Sequence, residues 1–145
     1  MKISTRGRYA VRLMADLAQN QGNGYVALKD IAERQGISKK YLEQIVTLLS
    51  RSGMLQTNRG YQGGYRLAQP AENYTLGDIL RVTEGSLAPV ACLDADAAPC
   101  ERAPYCITLP VWKELSALIN NYLDSVTVQD LLDKQAENGA FDYVI

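Results

Sequence analysis

The sequence predicts a mainly α-helical protein with one small β-hairpin and, towards its C-terminus, a long amphipathic helix. Three observations support this prediction. Apolar residues recur at three-and-four spacing in several segments, three glycines fall within residues 60–64 between two strand-like stretches, and an amphipathic segment follows a proline-containing loop. A chain of 145 residues can bury one modest core and still extend a helix beyond it.

Two helices are expected before the basic part of the chain. Ser4 or Thr5 can cap a first helix that runs to about Asn20, and a shorter helix begins near Leu28 and stops at Gly36. The predicted buried face of the first helix consists of Ala10, Leu13, Met14 and Leu17. Its other faces carry three arginines, for which solvent exposure and a contact with a nucleic acid are both open: Arg6, Arg8 and Arg12.

A third helix is predicted to start at the N-cap Ser38 and to end at Gly53. One face is apolar and consists of Leu42, Ile45, Val46 and Leu49. The opposite face is polar and basic, with side chains that can reach phosphate oxygens or base edges. Because only a short turn separates this helix from the previous one, the pair has the order of a helix-turn-helix.

A glycine-rich hairpin follows, with strands expected at 54–58 and 65–68. The glycines let the chain reverse and hold Arg59 and Tyr61 at the tip. A basic helix followed by an arginine-bearing hairpin predicts a winged helix-turn-helix domain that binds double-stranded DNA. The expected DNA contacts are Ser38, Lys39, Lys40, Tyr41, Glu43, Gln44, Arg51, Arg59 and Tyr61.

The DNA-binding domain is expected to span residues 1–85 and to close with a helix from Thr75 to Gly85, in which Asp78 favours the first turn. Residues 86–106 form a loop, and residues 107–145 contain a dimerisation helix and a tail. The apolar stripe of that helix is Trp112, Leu115, Leu118, Ile119 and Tyr122. Since no core of its own would cover this stripe, a second copy is the expected partner, and the alternative is packing against its own domain.

A final helix is expected after Thr127, from Val128 to about Ala136, followed by an apolar tail at 141–145 that could add an edge strand or a contact across the dimer. No apolar run is long enough to span a membrane, and the basic N-terminal stretch lacks the features of a signal peptide. These features favour a cytoplasmic protein.

Charge is distributed unevenly along the chain. Residues 1–66 contain 11 Lys and Arg against 4 Asp and Glu, whereas residues 67–145 contain 4 against 12. The net charges of +7 and −8 fit a basic nucleic-acid-binding face joined to an acidic part with another role.

All three cysteines, Cys92, Cys100 and Cys106, lie in the loop. An odd number of cysteines argues against a disulfide framework. From residue chemistry alone, a thiolate metal site, a thiol redox switch and cysteines without a special role are all open. The chain has no histidine, so a fourth ligand would be an oxygen, such as Asp94, Asp96, Glu101 or water, or a group from a second subunit.

Several segments together resemble the Rrf2 family of bacterial transcription regulators: MKISTRGRYAV, IAERQGIS followed by YLEQIV, RGYQGGYRL and GDILRVTEG. The resemblance implies a winged-helix homodimer with swapped long helices. For the cysteine-bearing branch of the family it implies a 2Fe-2S cluster held by Cys92, Cys100 and Cys106. It also implies that Glu43 tunes operator choice and that Arg59 enters the minor groove.

Two departures from the cysteine-bearing branch leave the fourth cluster ligand open: Leu109 lies where that branch can have a histidine, and the first cysteine gap is seven residues. The main alternative is a cluster-free repressor of cysteine metabolism that acts with a partner enzyme of cysteine synthesis. An enzyme, for example a thiol oxidoreductase, is disfavoured because the chain lacks histidine and a CxxC motif at a helix start. We therefore expect a regulator and no catalytic residues.

Overall fold

The elements follow the predicted order in the computed structural model, which describes residues 1–142. The described elements are the helices α1 (Thr5–Asn20), α2 (Leu28–Gln35) and α3 (Lys39–Arg51), the strands β1 (Leu55–Asn58) and β2 (Gly64–Leu67), and the helices α4 (Leu76–Glu84), α5 (Leu109–Ser125) and α6 (Val128–Asp142). The two strands pair antiparallel, with Leu55 opposite Leu67. The prediction of a mainly α-helical fold with a small hairpin is confirmed.

The main core lies where α1, α2, α3 and α4 meet beneath the hairpin, and the start of α6 adds Val128 to it. The large side chains that are fully buried there are Leu13, Met14, Leu17, Ile31, Leu42, Ile45, Leu49, Ile79 and Val128. The predicted apolar faces of α1 and α3 are therefore confirmed. Full burial of one such side chain stabilises the fold by about 1.5 to 3 kcal/mol, so these stripes fix how the helices pack.

Side-chain caps set the helix starts that the sequence predicts. The Ser4 hydroxyl accepts a hydrogen bond from the Gly7 amide at 3.1 Å, and the Ser38 hydroxyl accepts one from Tyr41 at 3.2 Å. At α4, Thr75 and Asp78 cap each other reciprocally, with both bonds at 3.0 Å. These bonds satisfy amides that have no partner inside the helix.

An ion pair that the sequence did not reveal joins the buried Asp16 of α1 to the exposed Arg34 of α2. Asp16 is 3% exposed. It accepts hydrogen bonds from Arg34 Nε at 3.0 Å and Nη2 at 2.7 Å, and from Gln35 Nε2 at 2.9 Å. The bonds to Asp16 raise the pKa of Arg34. The carboxylate therefore holds the C-terminal end of α2 against α1 and sets the position of the turn before α3.

Helix α5 is attached to α4 by polar and apolar contacts. The Arg81 guanidinium donates to the two carboxylate oxygens of Asp124 at 2.8 and 2.9 Å, and to Asn120 at 2.8 Å. A second, smaller apolar cluster contains Leu80, Leu87 and Leu123. Both contacts lie towards the C-terminal half of α5.

The predicted apolar stripe of α5 is divided between two environments. Trp112 and Ile119 are half-buried, and Ile119 packs against the smaller apolar cluster. Leu118 and Tyr122 are 62% and 63% exposed, and Leu115 is exposed as well. Part of the stripe thus packs on its own subunit, and the other part faces outward.

Helix α6 is longer than predicted and continues past Ala136 to Asp142. Its sequence after Ala136 contains no proline, and one glycine inside a helix costs only about 1 kcal/mol. The interpretation of 141–142 as part of an edge strand is therefore wrong, and the rest of that tail, 143–145, lies outside the described residues. None of the described helices has the length and apolar character needed to cross a membrane.

Candidate nucleic-acid interface and thiol pocket

Helix α3 presents one polar face outward because its other face is held in the core. Lys39, Lys40, Glu43, Gln44 and Arg51 are all exposed. Successive residues are about 100° apart around a helix, so these side chains spread over one continuous half of the surface. The structure shows that the predicted side chains are available, and their contact with DNA stays a prediction.

A cleft of about 650 Å³ separates α3 from the hairpin of residues 55–67, which we call the wing. We call this space the wing cleft. The charged side chains that line it are Lys29, Lys39, Glu43, Arg51 and Arg59. It therefore has four cations and one carboxylate, and none of the four cations forms an ion pair with a side chain of residues 1–139. Such a cleft favours an anionic partner.

The wing is positioned by close contact with the segment before α2. The Val26 amide donates to the Tyr65 carbonyl at 2.8 Å, and the Tyr65 amide donates to the Val26 carbonyl at 2.9 Å. A Cβ at Gly64 would overlap the Val26 carbonyl, so only glycine permits this approach. At the tip, Gly60 has φ +121°, and Tyr61 is fully exposed. The close approach at Gly64 and the positive φ of Gly60 explain why glycines occur at these two positions of the hairpin.

Two predicted contact residues also have a structural task. The Ser38 side chain caps α3, and the Tyr41 ring meets Tyr9 of α1 edge-on with centroids 5.7 Å apart. The Arg12 guanidinium lies 5.2 Å from the centre of the Tyr9 ring and bonds to Gln35. Arg12 and Tyr41 therefore lie on the side of α3 that faces α1, away from the wing cleft.

The sequence did not indicate a role for Lys29, which lies in the first turn of α2 and not in α3 or the wing, and which reaches the wing cleft only through tertiary packing. Its position one residue after the buried Leu28 is the only local indication that it is exposed beside α3. Thr57 and Asn58 of β1 line the same cleft and were also missed.

The three cysteines line one pocket of about 240 Å³ in the loop between α4 and α5. The other lining residues are Leu93, Ala97, Ala98, Pro99, Ala103, Leu109 and Lys113. We call this the thiol pocket. Among the described side chains, residues 1–139, no three of Cys, Asp or Glu are close enough to hold a metal ion. The thiols share a pocket without forming a closed ligand set.

Cys106 has an environment that favours its thiolate, although it is not part of a CxxC motif. Its Sγ lies 3.3 Å from the Thr108 hydroxyl. Hydrogen bonds from Thr108 and from the Leu109 amide at the start of α5 lower the pKa of Cys106, and the Arg102 charge contributes. The sequence has no CxxC motif, so it did not indicate that Cys106 would lie beside a helix start with a lowered pKa.

The carboxylates considered as a fourth ligand do not line the thiol pocket. Asp94 and Asp96 line another cavity, of about 610 Å³, next to Arg81 and Asn120. Asp94 is bonded there to the Ser86 hydroxyl. Glu101 lines neither space, and Lys113 is the charged side chain that lines the thiol pocket.

Comparison with known proteins identifies the family. The Rrf2 family model, described as an iron-dependent transcriptional regulator, matches residues 3–134. Protein rrf2 of Nitratidesulfovibrio vulgaris is 39% identical over 132 residues, which cover 91% of this chain and 87% of that protein.

Two solved structures have the same fold. CymR, the global cysteine regulator of B. subtilis, has a TM-score of 0.75 at 38% identity, with 92% of this chain and 98% of that chain covered. IscR of T. potens has a TM-score of 0.76 at 41% identity, with 95% and 90% covered. With its helix-turn-helix, its wing and these matches, the chain belongs to the Rrf2 family of winged-helix, DNA-binding transcriptional regulators.

Proposed function

We propose that this chain is a homodimeric repressor that binds a pseudo-palindromic operator and senses iron-sulfur cluster or redox status through the thiol pocket. The observation that carries the proposal is that Cys92, Cys100 and Cys106, spread over 15 residues of loop, line one pocket at the start of α5. A regulator with this pocket can couple the state of its thiols to the helix that joins two subunits.

In the proposed complex, α3 lies in the major groove. Lys39, Lys40 and Arg51 bind phosphates and fix the position of the helix, as do Ser38 and Tyr41 at its N-terminal end. Tyr61 contacts the backbone from the tip of the wing. Glu43 and Gln44 contact bases, because a carboxylate accepts from a cytosine amino group and an amide bonds adenine in a bidentate way. Arg59, at the tip of the wing, enters the minor groove and responds to its width.

The dimer is proposed to form along the outward face of α5. Val111, Leu115, Leu118 and Tyr122 are exposed there and are spaced by four, three and four residues. This is the repeat of a two-helix seam, in which side chains of one helix fit between those of the other. Two α3 helices would then meet successive major grooves, with half-sites about 34 Å apart or a multiple of that distance.

The donor set of the thiol pocket fits an iron-sulfur cluster. Thiolates are the ligands that such clusters prefer, the pocket walls are mostly small and apolar, and Lys113 would offset negative charge. Cys92, Cys100 and Cys106 would hold a 2Fe-2S cluster, with a fourth ligand from outside the pocket. When bound, the cluster would supply a centre that is sensitive to redox state and iron supply.

Contacts of the loop provide a route from the thiols to the DNA-binding domain. Leu93 and Ala97 line both the thiol pocket and the cavity beside α4. Leu87, at the start of the loop, packs with Leu80 of α4. Since α4 packs against α1 and α3, ordering of the loop would favour one placement of α3.

The test is to purify the full chain without oxygen and measure its visible spectrum, iron and acid-labile sulfide, followed by gel shifts before and after the cofactor is removed. We expect coloured protein, and loss of colour in Cys92→Ala, Cys100→Ala and Cys106→Ala. The control Ser125→Ala, at the far end of α5, should keep the colour. Colourless protein with stoichiometric zinc would replace the cluster by a zinc site.

The second candidate is a cluster-free repressor of cysteine metabolism that acts with a partner enzyme of cysteine synthesis. It is supported by the similarity to the CymR structure and by the thiols not forming a closed ligand set. Metal-free, colourless protein that binds DNA and retains a cysteine-synthesis enzyme on a column would favour this candidate over the first.

A further inference from the structure

The geometry of duplex DNA indicates what the wing cleft would hold in the proposed complex. If α3 lies in a major groove and the wing in the adjacent minor groove, one sugar-phosphate strand must pass between them, because one strand separates the two grooves. The space between α3 and the wing is the wing cleft, whose lining residues include Lys39, Arg51 and Arg59. This step rests on the proposed DNA complex.

We infer that Lys29 binds a phosphate of this strand and is a third anchor of the DNA interface, beside α3 and the wing. Lys29 lines the cleft from α2, whereas the other cations come from α3 and the wing tip. It is exposed and forms no ion pair within the described part of the chain. Its charge is therefore available to an anion in the cleft.

The start of α2 is held by packing and by backbone hydrogen bonds, so the backbone of Lys29 has a defined position. Leu28, its neighbour, is buried in the main core at 6% exposure. Val26, three residues before Lys29, forms two backbone hydrogen bonds with Tyr65 of the wing. Lys29 and the wing are thus parts of one connected unit, and a phosphate bound by Lys29 would also fix how deeply Arg59 enters the minor groove.

The first turn of α2 carries two opposite charges, Lys29 and Asp30, and Asp30 opposes the positive end of the helix dipole. Only Lys29 of these two lines the wing cleft. The charge that meets an anion in the cleft is therefore that of Lys29. A phosphate contact of this kind carries no sequence information, so Lys29 should strengthen binding to all duplexes that the protein accepts.

The experiment uses the full chain purified without oxygen and a labelled duplex that the wild-type protein enriches from a randomised library. Binding of the wild type, Lys29→Gln and Lys29→Arg is measured by fluorescence anisotropy at increasing KCl. Lys134→Gln on α6 removes the same charge from an exposed position and is the matched control.

We expect Lys29→Gln to reduce the slope of log K against log[KCl] by about 0.9 for each Lys29 engaged, or about 1.8 for a dimer. Lys29→Arg should restore the slope, and Lys134→Gln should leave it unchanged. The inference is overturned if Lys29→Gln keeps the wild-type slope or if Lys134→Gln lowers it equally. If the wild type enriches no duplex at all, the proposed function itself fails, which is a distinct result.

Discussion

Residues 1–85, which we call the N-terminal domain, and the segment from the loop to the end of α5 differ in how completely they bury their own apolar surface. Helix α3 buries Leu42, Ile45, Val46 and Leu49, whereas α5, although longer, buries only Leu123 among its described side chains. The three cysteines are likewise exposed or only half-buried. The first region is therefore complete within one subunit, and the second has surfaces suited to a partner and a cofactor.

This difference separates interactions that stabilise one subunit from interactions that would hold two subunits together. Interactions in the N-terminal domain stabilise the fold of one subunit, so their loss should appear as unfolding at lower denaturant. Apolar side chains on the outward face of α5 already contact water in one subunit, so their loss should appear in association and leave unfolding of the subunit nearly unchanged.

The largest effect is expected at the ion pair of Asp16 with Arg34. Arg34→Ala leaves Asp16 as a buried carboxylate that keeps only Asn20 and Gln35 as side-chain partners. Because the Arg34 side chain is itself 39% exposed, the cost is expected at the low end for buried pairs, about 3 kcal/mol. Urea unfolding followed by circular dichroism measures this cost. Arg59→Ala, at the exposed wing tip, is the control and should change stability little. A loss below about 1 kcal/mol for Arg34→Ala would show that the N-terminal domain does not depend on this pair.

The second effect is expected at the outward face of α5. Leu118→Glu removes one apolar side chain per subunit from the proposed seam and introduces two like charges, so dimer formation should weaken by about 3 kcal/mol, or roughly 100-fold. Sedimentation at a series of concentrations measures the change. Ala117→Glu places the same charge on α5 away from the seam and should leave association intact. Equal weakening by both variants would argue against this face.

Local signals explain which parts of the molecule could be predicted from sequence. Caps at Ser4, Ser38 and Thr75 and apolar residues at helical spacing act within one or two turns, so the helix starts and buried faces follow from them. The glycines of the wing were informative because the backbone there permits almost no other residue.

Tertiary packing explains what the sequence did not reveal. The pair of Asp16 with Arg34 spans 18 residues of chain, and the approach of Lys29 to the wing depends on three elements meeting. The lowered pKa of Cys106 depends on the start of α5. None of these contacts has a fixed spacing in sequence, so no pattern of residue types could indicate them.

A smaller effect is expected at the base-reading part of α3. Glu43→Ala should widen the range of operators that the protein accepts, because it removes a carboxylate that phosphate repels wherever no cytosine is present to bond it. The expected loss of discrimination at one base pair is about 1 to 3 kcal/mol. Competition binding with single-base operator variants measures it, and Glu33→Ala on α2 is the control. An unchanged order of preference would contradict the assigned role of Glu43.

The smallest effect is expected where the two regions join. Arg81 and Asp124 are each more than a third exposed, so Asp124→Asn should cost less than about 1 kcal/mol in urea unfolding at neutral pH. The bonds from Arg81 lower the pKa of Asp124. A carboxyl with a lowered folded pKa stabilises the fold fully above its unfolded pKa of about 3.9, and this contribution is lost as pH falls through the folded value. The difference between wild type and variant should therefore shrink below about pH 4. A difference that grows on acidification would show that Asp124 is stabilised in its protonated form, and Arg81 would then not be what attaches α5 to α4.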